Sequence, residues 1–117
     1  MPLRELKPFI PSGSDFAKSK AFFLDLGFQL RWEAPGLAEL ALGSAVFLLQ
    51  DFDNKEMQEN LMMFVSVEDL DEWWAHLQAS GVLGRYGEAR AKEPTVYPWG
   101  QREVHLIDPA GVCWHFA

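Results

Sequence analysis

The stretch PWGQREVHLIDPAGVCWHF, Pro98 to Phe116, decides how the rest of the chain is read. From Arg102 to Ile107 the residues alternate, with Val104 and Leu106 on one side and Glu103 and His105 on the other. That period of two is the pattern of a half-buried strand. Asp108-Pro109-Ala110-Gly111 follows as a turn: Pro109 pre-sets φ at the first corner, and Gly111 supplies a position that can take φ > 0. Val112 to Phe116 then returns as a second strand rich in β-forming residues. The sequence stops at Ala117, so this hairpin is expected to close the fold.

Working outward, the rest of the chain divides into matching pieces. Leu3 to Ile10 reads as a first strand, with Pro8 and Pro11 pointing to an edge position. Ser14 or Asp15 can cap a helix whose apolar residues Phe16, Ala17, Ala21, Phe23, Leu24 and Leu26 recur at helical spacing, and Gly27 ends it. Strands are expected over Phe28–Glu33, Leu37–Leu42 and Ala45–Gln50, joined by short Gly-containing turns into a meander. Asp51 to Asn60 is polar and reads as a connector. A strand over Leu61–Val67 and a helix opened by Glu68 or Asp69 follow, with Leu70, Trp73, Trp74 and Leu77 as its stripe and Gly81 as its stop. A further strand lies within Glu88–Val96, before the closing hairpin. Strand, helix and three strands therefore occur twice, and the two helices start 54 residues apart, at Phe16 and Leu70.

Composition bounds the function. A chain of 117 residues with 49% hydrophobic residues can bury one real core and is not a disordered protein. The net charge of -7 and the lack of a basic stripe argue against a nucleic-acid partner and suit a cationic ligand better. No apolar run approaches the roughly 20 residues that span a bilayer, so no membrane is expected. The N-terminus lacks the apolar core of a signal peptide, and the one cysteine, Cys113, has no internal partner; the expected compartment is the cytoplasm. Five Trp and nine Phe are an unusual number for 117 residues; most are expected in the core, and an excess can also line a pocket for flat ligands.

Three stretches together carry a resemblance: IPSGSDFAKSKAFFLDLGF (Ile10–Phe28), FVSVEDLDEWWAHLQASG (Phe64–Gly81), and the hairpin with its aromatic-Gly-x-Arg-Glu lead-in and Asp-Pro-x-Gly turn. In order and spacing they resemble the vicinal-oxygen-chelate superfamily, which includes glyoxalase I, the extradiol dioxygenases and the bleomycin resistance proteins. The resemblance implies an α+β fold of two βαβββ units whose curved mixed sheets surround a cup. It covers residues 1–117 as one domain, with halves of roughly 1–52 and 60–117, often packed or exchanged across a homodimer.

In metal-dependent members the ligands are His, Glu or Gln on the first and last strand of each half. Carried over residue by residue, those places hold Lys7 or Pro8, Phe47 or Leu48, Met62, and His115. A protonated lysine and a soft thioether are poor partners for hard or borderline metals. One donor in four does not hold a catalytic metal, so no metal and no cofactor are expected there. A metal is rescued only if Glu103 and His105 face the cup and join His115.

The match is nearer to the metal-free bleomycin resistance branch. Ile10-Pro11-Ser12 followed by Asp15-Phe16 resembles its opening, Trp99-Gly100 its Trp-Gly, and Trp32 its strand aromatic. In that branch a homodimer sequesters a flat, cationic drug in grooves between subunits, with acidic groups near its positive tail. Asp51, Asp53, Glu56 and Glu59 could take that part, or simply form a solvated linker. The expected ligand-binding residues are Trp32, Phe47, Trp99, Arg102 and His115, with Leu48 as the alternative to Phe47; Arg102 would also suit an anionic group. Two classes stay open: a protein that binds a small aromatic or cationic molecule without chemistry, and a glyoxalase-type lyase or dioxygenase using His115, Glu103 and His105.

Overall fold

The computed structural model describes all 117 residues and contains two four-stranded mixed sheets. The first half supplies β1 (Phe9–Pro11), α1 (Phe16–Leu26), β2 (Gln29–Ala34), β3 (Leu37–Leu42) and β4 (Ala45–Gln50). The second half supplies β5 (Met62–Val65), α3 (Leu70–Ala79), β6 (Arg90–Val96), β7 (Arg102–Ile107) and β8 (Cys113–Phe116). A short helix, α2 (Lys55–Asn60), joins the halves, and a single turn, α4 (Val82–Arg85), follows α3. The sheet orders β1-β4-β3-β2 and β5-β8-β7-β6 repeat one plan: the first strand of each half runs parallel to the last, and the others pair antiparallel.

Local chemistry sets the helix ends. Asp15 accepts the backbone N–H of Lys18 at 3.0 Å and Asp69 that of Glu72 at 3.0 Å, each satisfying an otherwise unpaired first-turn donor. Gly27, at φ 124°, ends α1 by turning its N–H back onto Leu24 and Phe23 carbonyls.

Three expectations are corrected here. The first strand is Phe9–Pro11, not Leu3–Ile10, because only those three residues find a partner strand, pairing with Leu48–Gln50. The Asp51–Asn60 connector is half helical: Asn54 caps α2, and the buried Gln58 donates to the Ala110 carbonyl at 3.0 Å, tying the connector to the closing turn. In α1 the buried positions are Ser19, Phe22, Phe23 and Leu26, whereas Ala17 and Leu24 face solvent.

The core lies between the inner sheet faces and the helices. Phe22, Phe23, Phe28 and Phe47 of the first half meet Trp114, Val104 and Leu106 of the second in one cluster of 17 buried residues. Phe23, Phe47 and Trp114 are mutual neighbours at 4.9–5.5 Å between ring centroids. Asp108 holds the final turn from inside. Its Oδ1 accepts the N–H groups of Ala110, Gly111 and Val112, and its Oδ2 accepts Trp114 Nε1–H at 3.0 Å. The outer faces of both sheets remain uncovered, with Phe9, Trp32, Met62 and Phe64 each more than half exposed.

Candidate functional site on the open sheet face

Strand alternation assigns each side chain to the core or to the open face. Across the first sheet the register row Phe9–Leu48–Glu39–Trp32 faces outward, since its neighbours Ile10, Leu49, Ala38 and Leu40 are fully buried. Across the second sheet the equivalent row is Phe64–His115–His105–Lys92. Glu103 lies two residues along β7 from His105, so it shares that face.

Polar groups converge there on one carboxylate. His105 Nε2 lies 2.8 Å and His115 Nδ1 2.9 Å from Glu103 Oε1, and Trp99 Nε1–H donates to Glu103 Oε2 at 2.8 Å. The Glu103 side chain is only 3% exposed. Burial alone would raise its pKa, but bonds from His115, Trp99 and His105 outweigh that and bring it down to about 2. Around the carboxylate the rings form a wall: Tyr97 stacks on Trp99 at 5.0 Å and on His105 at 4.3 Å, nearly parallel in both cases. A tight turn closed by Gly100 N–H onto the Tyr97 carbonyl presents Trp99, which is 60% exposed. Pro98 takes the first corner of that turn and Gly100 has φ 89°.

The low pKa makes stability pH-dependent. The unfolded value is near 4.5 and the folded value lower, so the contribution is present above about pH 4.5 and lost as pH falls towards 2. Urea titrations should show wild type losing about 2–3 kcal/mol over that range through this group. Glu103→Gln should lack that part of the slope; an unchanged slope would show that Glu103 titrates normally.

The five expected site residues do not all meet. Trp99 and His115 are brought together through Glu103. Trp32 stands on the corresponding face of the other sheet, half exposed. Phe47 is corrected to a core residue: it is 2% exposed and packs on Phe23, Phe28 and Trp114, while its neighbour Leu48 takes the open face. Arg102 is also displaced from the site. It flanks Glu103 on the strand and therefore points to the opposite face, where it forms an ion pair with Asp71 at 2.6 Å. Tyr97, Glu103 and His105 complete the site, and Tyr97 had no signal beyond the aromatic-Pro-aromatic run Tyr97-Pro98-Trp99.

Of the positions carried over for a family metal only His115 offers a suitable donor, so the set as a whole does not fit one. Lys7 is engaged by Glu39 at 3.0 Å, Pro8 has no donor side chain, Phe47 is in the core, Leu48 has no donor atom, and Met62 offers an exposed thioether. A cleft of about 760 Å3 lies elsewhere, between the β3–β4 turn, β5 and α3. None of the expected site residues lines it, and its His76 is already bonded to the Leu26 carbonyl. The convergent polar chemistry is on the open face, so the site is assigned there.

Paired βαβββ sheets with uncovered outer faces, one of them carrying an aromatic wall over a buried carboxylate, define a fold of the glyoxalase type. The chain belongs to the Glyoxalase/Bleomycin resistance protein/Dioxygenase superfamily, whose model matches residues 12–116. Among solved structures, a bleomycin-binding protein complexed with bleomycin is 22% identical, with a TM-score of 0.82 and 97% of each chain covered. A bleomycin resistance determinant encoded on the transposon Tn5 is 22% identical, with a TM-score of 0.77 over 97% of this chain and 96% of that one. The antibiotic binding protein TnmS3 from Streptomyces sp. CB03234 is 25% identical, with a TM-score of 0.72 over 99% and 96%. No curated protein sequence matches the chain. No helix is long and apolar enough to cross a membrane.

Proposed function

We propose that the protein is a cytoplasmic, homodimeric binding protein that sequesters a small aromatic or cationic ligand such as bleomycin, without chemistry and without a metal at the four family positions. The observation that carries this is the Trp99–Tyr97–His105 stack, an ordered aromatic wall with an exposed outer ring. Flat rings gain from such a wall because stacking adds to the removal of apolar surface from water. The net charge of -7 favours a cationic partner. The likeness to a bleomycin-binding protein and to an antibiotic binding protein supports the same role.

A homodimer accounts for the two open faces. Phe9, Leu48 and Trp32 on one sheet and Met62 and Phe64 on the other are apolar surface that a second copy would cover. In such a dimer Trp32 of one protomer and Trp99 of its partner could bound one groove. Trp32→Ala and Trp99→Ala should each cost about 1–3 kcal/mol of bleomycin binding, roughly 5- to 150-fold in affinity. Tryptophan-fluorescence titration reads this directly. Tight binding by wild type that neither substitution weakens would put the ligand elsewhere, and a monomer at micromolar concentration would remove the shared groove.

One observation favours a second reading, a glyoxalase-type lyase or dioxygenase. Glu103, His105 and His115 do meet, and an ionised carboxylate that orients two imidazoles places those rings for proton transfer. Recovery of a changed ligand after incubation would support it over sequestration.

A further inference from the structure

We propose that Glu103, His105 and His115 form a three-donor site for one borderline divalent cation such as Zn2+ or Co2+. Only one of its donors, His115, stands at a family position; the other two, Glu103 and His105, lie on β7. It goes beyond sequestration by stacking, which requires no metal.

One oxygen and two imidazole nitrogens lie within 4.8 Å of one another. The convergence is tight: both rings approach the same oxygen, Glu103 Oε1, at 2.8 and 2.9 Å. A cation with bonds of about 2.0–2.2 Å wants its donors roughly 3.0–3.5 Å apart. The two short separations therefore have to widen by only a few tenths of an ångström. The register His105↔His115 fixes the two histidines on adjacent strands, and Tyr97 stacked on His105 holds one ring flat.

The donor set also selects the ion. Two nitrogens and one carboxylate oxygen suit Zn2+, Co2+ or Ni2+, not the all-oxygen shells of Ca2+ or Mg2+. An orienting partner for the carboxylate is already in place. Trp99 Nε1–H holds Glu103 Oε2 at 2.8 Å, leaving Oε1 directed between the histidines. Uptake needs no net proton loss from neutral rings: each ring proton now aimed at Glu103 moves to the other ring nitrogen. On His115 that nitrogen, Nε2, is buried and has no partner. Both histidine side chains stay partly exposed, at 20% and 16%, so a further coordination position opens towards the groove. A metal there would favour ligands that carry their own donor atom.

The test uses full-length protein without an affinity tag, treated with EDTA, dialysed and titrated with Co2+. One equivalent should bind, with the visible absorption of a four- or five-coordinate ion. His115→Ala, and His105→Phe, which keeps a flat ring against Tyr97, should each weaken uptake by about 100-fold or more. Their far-ultraviolet circular dichroism should match wild type, while Tm should fall somewhat because each removes a bond to the buried Glu103 carboxylate. No stoichiometric uptake of Co2+ or Zn2+ at sub-millimolar concentration would overturn the proposal, as would uptake that survives both substitutions. Titration of the same metal-free protein with bleomycin is the separate test of the sequestration reading, so either can fail without the other.

Discussion

Replacing Asp108 with alanine is expected to lower the unfolding free energy by about 3–5 kcal/mol, a large part of the 5–15 kcal/mol typical of a domain. The Asp108 side chain is buried and accepts four hydrogen bonds. Alanine would leave the Val112 N–H and the Trp114 indole N–H buried without an acceptor, and would take a partner from the part-buried N–H groups of Ala110 and Gly111. The same bonds set the exit of β7 and the entry of β8, so the loss reaches the strand that carries His115. Asp108→Asn keeps an oxygen for the turn but sets an amide N–H against Trp114 Nε1–H, and should cost about half as much. Burial pushes the Asp108 carboxyl up to about 6, against the pull of Trp114 and the turn N–H groups. A raised carboxyl contributes stability below its unfolded pKa, near 3.8, that is lost as pH rises through about 6. Urea unfolding at several pH values checks both the loss and that slope, which Asp108→Asn should not show.

Phe47→Ala is the other substitution with a large expected effect, about 3–5 kcal/mol of stability. Its ring touches Phe23 and Phe28 from the first half and Trp114 from the second, so truncation opens a cavity where the two halves join. Phe47→Leu should cost less, because much of the volume remains. Well below its lowered Tm, Phe47→Ala should bind ligand as wild type does. A stable variant that had lost ligand binding would instead make Phe47 a pocket wall.

The contrast between Phe47 and Leu48 shows where the sequence stops being informative. Counting four residues on from Gly43 and from Gly111 equates Phe47 with His115, but the turns differ. The β3–β4 connection has two residues, Gly43 and Ser44, whereas five separate Ile107 from Cys113. A difference in turn length changes the count, and one residue of slip moves a side chain to the other face. The duplication, the Asp15 and Asp69 caps, the Gly27 and Gly81 stops and the closing hairpin were legible because each depends on local chemistry. The start of β1 was not, since its partner β4 lies far along the chain. Helix α2 escaped notice because its buried residue is Gln58, which leaves no apolar period.

The site was half legible. Alternation put Glu103 and His105 on one face, and the family register put His115 on the cup strand. Glu103 is met by Trp99 and the two histidines, with Tyr97 stacked on Trp99 and His105, a contact set that no spacing encodes. Arg102 looked available because the Asp71 carboxylate that engages it comes from α3, 31 residues earlier.

The most direct measurement of the sequestration claim is a bleomycin titration of the metal-free protein, followed by release of the ligand and its mass analysis. Saturable binding in the micromolar range or tighter, in a fixed ratio to protomers, with the ligand recovered unchanged, is the predicted result. No saturable binding up to millimolar bleomycin, or recovery of a chemically altered ligand, would contradict it.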